Sequence, residues 1–216
     1  VDKVQMNPPS ASENLVEPAG PIDPEVPYIF VKSVDDKPIA LLANYSLHYV
    51  GGQGGLHVSA DYFGMFADRV SRLLDVADID PPFVGMMSNG TSGNINNINF
   101  RVQGESKPPY AQMKFVADTV AQNVFESMKD LQWNDRVTLD AVAQDLQLGV
   151  RKPTEQELAE AQEVVRKAEG REMTTLPEIY ARESVLIAEY PDTMPVTIQA
   201  LRIGNLGIAS IPCEVF

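Results

Sequence analysis

Residues 39–61 read IALLANYSLHYVGGQGGLHVSAD. The apolar run from Ile39 to Ala43 predicts a buried strand, and it empties into a loop that holds both histidines of the protein, His48 and His57, among several glycines. A helix is predicted to follow at once. From Ser59 onward, Ala60, Phe63, Phe66, Ala67, Val70, Leu73 and Leu74 recur at helical spacing, with Ser59 as the expected N-cap and Asp61 in the first turn. The loop between them is the first place to look for chemistry. Glycine lets a backbone turn tightly and a ligand approach closely, and neutral imidazole is the commonest protein ligand for zinc. As residues alone, two histidines fit hydrogen-bonded loop positions as well as a metal site, which takes three or four ligands.

Upstream of this stretch, residues 1–27 are rich in proline and poor in periodicity, which predicts an extended lead-in lying over a surface. Tyr28 to Val34 and Lys37 to Ala43 are two β-prone runs separated by Asp35-Asp36, a hairpin signal. Downstream, Phe83 to Met87 predicts a short strand running into SNGTSGNINNINF, residues 88–100. Small polar side chains and flexible backbone of this kind form either an ordinary turn or a nest of donors around an anion. An amphipathic helix is predicted at about 110–130, with Phe115, Val116, Thr119, Val120, Val124, Phe125 and Met128 as its core face. Val137 to Val150 reads as one or two strands. Thr154 opens an acidic helix that Gly170 closes, and a second helix covers about 176–190. A hairpin turning at Gly204-Asn205 spans Val196 to Ile211, and the chain ends in IPCEVF, where Glu214 stands at the end of a strand.

Composition narrows the function classes. The 216 residues are 44% hydrophobic and 22% charged, near the averages for folded domains, and no apolar run has the length of a bilayer span. The net charge of −13 disfavours phosphate backbones, whose affinity comes from Lys and Arg, so nucleic acid is not an expected partner. Cys213 is the single cysteine, which leaves no internal disulfide framework. The start at Val1 suggests processing or excision from something longer. Oligomeric state leaves no trace in the sequence.

The segments NYSLHYVGG, SNGTSGNINNINF and IPCEVF, in that order, together resemble the N-terminal catalytic domain of the neutral/alkaline non-lysosomal ceramidase family. HVSADYFGMFA and PIDPEV are similar to further segments of the same domain. The resemblance covers nearly the whole chain, with residues 150–190 the least characteristic. It implies an α/β fold of mixed sheets in a sandwich flanked by helices, one ceramidase-like catalytic domain fragment over 1–216, and a helical excursion at 150–190. It also implies zinc, with His48 and Glu214 as two ligands and the remaining ligands outside this chain.

The chain departs from the family at its serine. The Gly-Asp-x-Ser-Pro-Asn stretch is matched by Gly93-Asn94-Ile95-Asn96-Asn97, with Asn94 in place of Asp and Asn96 in place of Ser. Asn89, Ser92 and Asn96 are then the candidates to hold substrate or a developing oxyanion, Asp61 to orient a loop or a metal ligand from behind, and His57 to support the same region. The activity implied is zinc-dependent hydrolysis of an amide (N-acyl) or ester bond in a lipid-like or other small substrate, in a periplasmic or extracellular bacterial protein. The alternative is a non-catalytic scaffold that binds lipid or carbohydrate. No exposed apolar helix announces a groove for a long acyl chain.

Overall fold

The computed structural model describes residues 4–215. The first three residues of the proline-rich lead-in and Phe216, the last of the IPCEVF segment, lie outside the described residues. The chain is an α/β fold that divides into two compact units. One runs up to Asn134 and includes the segment from Cys213, and the other runs from Asp135 to Pro212.

In the first unit, β1 (Tyr28–Lys32) and β2 (Pro38–Tyr45) form the expected antiparallel hairpin. Asp36 turns it at φ 63°, and Ser33 N–H donates to the Lys37 carbonyl oxygen at 2.8 Å. After β2 the chain passes through α1 (Asp61–Leu73) and returns as β3 (Val84–Asn89), which pairs parallel to β2. This β–α–β crossover makes the sheet mixed, in the order β1-β2-β3. A second helix, α2 (Ala111–Ser127), packs against α1. Leu41 and Ala43 of β2, Tyr62, Phe66 and Val70 of α1, and Met113, Val116, Ala117, Val120, Ala121 and Val124 of α2 form one buried core.

Three expectations change in this unit. Ile39 is on the same strand face as Leu41 and Ala43 but is exposed, because it stands at the hairpin end beyond the cover of the helices. Phe115 and Thr119 are exposed too: the buried stripe of α2 is 113, 116, 117, 120, 121 and 124, Thr119 falls outside it, and Phe115 is on the opposite side of the helix, with its ring centroid 5.6 Å from Lys107 Nζ. Ser59 does not cap α1. Its Oγ accepts the Asp61 N–H at 3.0 Å, the residue preceding the helix is Ala60, and Asp61 Oδ1 accepts the Tyr62 N–H at 2.7 Å.

The second unit holds β4 (Leu139–Gly149), α3 (Glu155–Lys167), α4 (Leu176–Ala188), β5 (Thr193–Ile203) and β6 (Leu206–Ser210). Its sheet is antiparallel throughout, in the order β4-β5-β6, with Gly204 at φ 62° in the expected hairpin turn. Thr154 and Glu157 form a capping box at the start of α3. That helix stops at Lys167, and Gly170 follows at φ 82°. The helices α3 and α4 pack as a pair, with Ala161, Ala168 and Ala181 buried. No residue of β4, β5 or β6 is buried. α4 also leaves an apolar stripe at the surface, which overturns the expectation that no exposed apolar helix is present. No helix among the described residues is long and apolar enough to cross a membrane.

Candidate functional site

Two parallel strands that end side by side present their following loops to the same place, the usual position of sites in α/β sheets. Here β2 and β3 run in register from Ala40↔Val84 to Tyr45↔Asn89, so the His48 segment and the 88–97 loop leave the sheet as neighbours. Hydrogen bonds then tie them together. The Gly90 N–H donates to the Tyr45 carbonyl oxygen at 3.0 Å, and Asn44 Nδ2 donates to Ser88 Oγ at 2.9 Å. Ser46, which is buried, accepts from both the Thr91 N–H at 3.1 Å and Thr91 Oγ1 at 3.2 Å, and donates to Asp23 Oδ2 at 3.4 Å. Gly90 lies so close that a Cβ there would sit 2.3 Å from Ser46 Oγ and 2.8 Å from Asn44 Oδ1, so only glycine fits.

The segment from Cys213 joins the same strand ends. The Gly93 N–H donates to the Val215 carbonyl oxygen at 2.9 Å, and His48 Nε2 lies 3.1 Å from Glu214 Oε1. Both side chains are partly open to solvent, 34% for His48 and 59% for Glu214. An imidazole nitrogen and a carboxylate oxygen are donors of the type zinc takes. Among the described residues, no group of three or more His, Cys, Asp and Glu side chains is arranged to hold a metal ion. The pair therefore fits zinc in kind and falls short in number.

Asp61 accepts the N–H groups of Val50 at 2.9 Å and Gly51 at 2.8 Å, so it holds the backbone two and three residues beyond His48. Gly51, Gly52, Gly54 and Gly55 all have positive φ in this loop. His57 is apart from the His48–Glu214 pair: its Nδ1 pairs with Tyr110 Oη at 2.8 Å, and the two rings stack with centroids 6.1 Å apart. The Tyr110 N–H donates to the Gly52 carbonyl oxygen at 3.1 Å, which closes the loop from its other end.

In the 88–97 loop, Asn89 Nδ2 donates to Ser92 Oγ at 2.7 Å, and Ser92 is only 2% exposed. Asn96 Nδ2 donates to Asn7 Oδ1 at 2.8 Å, and Asn94 Nδ2 donates to the Pro21 carbonyl oxygen at 2.9 Å. The proline-rich lead-in is thus part of this region.

Residues passed over at the level of sequence prove central to the arrangement. Tyr62 is fully buried and donates from Oη to the Leu47 carbonyl oxygen at 2.9 Å, next to His48. Burial, then the Asp61 carboxylate and Tyr45, push the Tyr62 hydroxyl well above the usual tyrosine value, so it stays a neutral donor. Ser46, just past the end of β2, and Asp23 stand in the NYSLHYVGG and PIDPEV segments, but nothing local marks their contact.

No family model matches the chain, and no curated protein does. Two solved structures share the fold. One is described as a neutral ceramidase from Pseudomonas aeruginosa, 17% identical, with a TM-score of 0.53 over 89% of this chain and 35% of that one. The other is described as a ceramidase complexed with C2, 16% identical, with a TM-score of 0.59 over 89% of this chain and 36% of that one. The chain spans about a third of the length of these structures, and its fold is that of a ceramidase-like portion.

Proposed function

We propose that the first unit carries part of the centre of a zinc-dependent hydrolase that cleaves an amide (N-acyl) or ester bond in a lipid-like or other small substrate. The observation that supports this reading is the 3.1 Å approach of His48 Nε2 to Glu214 Oε1 beside the ends of two parallel strands. His48 and Glu214 would be two of the ligands, with the rest supplied from outside the described residues. Zinc held there would supply a Lewis acid that polarises the substrate carbonyl.

The chain's own residues do the positioning. Asp61 and Tyr62 fix the backbone on either side of His48, through Val50, Gly51 and Leu47. Ser46 and Gly90 hold the 88–97 loop against that segment. Asn89 is the exposed part of the loop that faces substrate in this reading, a donor set in place before charge develops, and the enclosed Ser92 anchors its amide from behind. We place the protein in a bacterial periplasm or outside the cell.

A second reading, a scaffold that binds lipid or carbohydrate without cleaving it, is favoured by one observation. The side-chain amides of Asn94 and Asn96, which stand where the family's acid and serine would be, are engaged by Pro21 and Asn7. Assaying the full natural polypeptide against a panel of N-acyl amides and esters separates the two. Hydrolysis that falls at least about 100-fold in kcat/KM in His48→Ala and Glu214→Gln supports the hydrolase. An inactive wild-type protein that still binds lipid or carbohydrate supports the scaffold.

A further inference from the structure

The backbone is fixed on both sides of the residue that follows His48. Tyr62 Oη donates to the Leu47 carbonyl oxygen at 2.9 Å, and Asp61 accepts the N–H groups of Val50 at 2.9 Å and Gly51 at 2.8 Å. Tyr49 stands between these anchors and is 64% exposed. Its ring lies against the His48 imidazole, with centroids 4.4 Å apart and planes inclined at 58°.

A single exposed tyrosine is ordinary on a protein surface. Three observations set this one apart. The main chain that carries it is held by Asp61 and Tyr62, so the ring keeps its place without being packed into the core. The fold also makes no use of its hydroxyl: Tyr28, Tyr62 and Tyr110 of the same unit pair theirs with Ser127, the Leu47 carbonyl oxygen and His57, whereas that of Tyr49 has no protein partner among the described residues. Finally, the ring adjoins the imidazole whose Nε2 lies 3.1 Å from Glu214 Oε1. A flat apolar face held in water beside a histidine and a carboxylate is the kind of surface that orients a bound molecule.

The ring also indicates what it would touch. Its apolar face gains by shedding water against an alkyl chain, with each buried methylene worth roughly fourfold in affinity. A carbonyl brought to His48 and Glu214 has the first carbons of its acyl chain within reach of a ring 4.4 Å from that imidazole.

We propose that Tyr49 is a specificity-determining residue that packs its ring against the first carbons of the substrate's acyl chain. The substrate class rests on the hydrolase reading above.

The full natural polypeptide, assayed with p-nitrophenyl acetate and p-nitrophenyl butyrate, tests the assignment. The two esters share a leaving group, so the ratio of their kcat/KM values reports the acyl chain alone. Wild type is expected to prefer the butyrate at least about tenfold, and Tyr49→Ala to cut that ratio at least about fivefold. Tyr49→Phe keeps the ring and is expected to keep the ratio. An equal loss with both esters would overturn the proposal, because Tyr49 would then act only through His48. So would a wild type without the preference, a ratio that Tyr49→Ala leaves intact, or one that Tyr49→Phe lowers as far. Wild-type protein that turns over neither ester defeats the hydrolase reading alone, and the contact is then read by saturation-transfer difference NMR with hexanamide. Transfer to the alkyl protons that falls at least about threefold in Tyr49→Ala upholds the contact, and transfer that is absent or undiminished overturns it.

Discussion

The two three-stranded sheets of this protein differ in burial: only the first contributes buried residues. In β1-β2-β3, Leu41 and Ala43 are fully buried under residues from α1 and α2. In β4-β5-β6, Val142, Leu148, Met194 and Leu201 are all exposed. Alternating apolar residues make a strand in both cases, but only a helix laid across the sheet turns that strand into a core. The first sheet therefore has the rigidity to place His48, the 88–97 loop and Glu214 against one another, and the second does not have a buried residue to do the same.

That contrast makes graded predictions. The largest effect is expected in the core. Phe66→Ala should cost about 3–5 kcal/mol, because Phe66 is fully enclosed, whereas Leu201→Ala in β5 should cost less than about 1 kcal/mol. Trp133 is the single tryptophan, lies in the first unit and packs on Phe30 at 5.5 Å, so its fluorescence during denaturant unfolding reads that unit, and far-UV circular dichroism in the same titration reads the second unit as well. Equal costs at Phe66 and Leu201 would break the contrast. Next comes Gly90→Ala, expected to cost about 1–3 kcal/mol by driving a methyl into Ser46 and Asn44, against less than about 0.5 kcal/mol for Gly149→Ala, where nothing lies within 4 Å of the added atom.

Within the second unit the helices are held by their own ends. Thr154→Ala removes the capping box of α3 and should lower stability by about 1 kcal/mol, read as a drop in the far-UV melting midpoint. The smallest effect is at Glu163, whose carboxyl is held down to about 2 by hydrogen bonds from Arg166, with a further contribution from Lys167. Its folded value lies below the ordinary 4.5, so its contribution is present above pH 4.5 and is lost as pH falls through about 2. The wild-type melting midpoint should exceed that of Glu163→Gln slightly at neutral pH and converge on it across this window. A difference that grows on acidification would contradict the ion pair as its cause.

Local chemistry made much of the fold legible. The hairpin follows from Asp35-Asp36 between β-prone runs, the β5–β6 turn from Gly204-Asn205, and α3 from the acidic run that Thr154 opens and Gly170 closes. What stayed hidden was set by packing between distant residues. Phe115 looked like core because it is large and apolar, but the stripe that α1 covers lies on the other side of α2. The exposure of Leu176, Tyr180 and Leu186 on α4 went unread, because nothing local says which side of the helix is covered. At the candidate site, the resemblance implied that His48 and Glu214 come together, and they lie 3.1 Å apart. The support from Asp23, Ser46 and Tyr62 stayed hidden, because it depends on contacts between residues distant in sequence.

The most direct test of the central claim is the zinc content of the full natural polypeptide, determined by elemental analysis beside His48→Ala and Glu214→Ala. We expect about one zinc per polypeptide in the wild-type protein and a loss of at least about tenfold in each variant. Zinc absent from the wild type, or retained in full by both variants, would contradict the assignment of His48 and Glu214 as metal ligands.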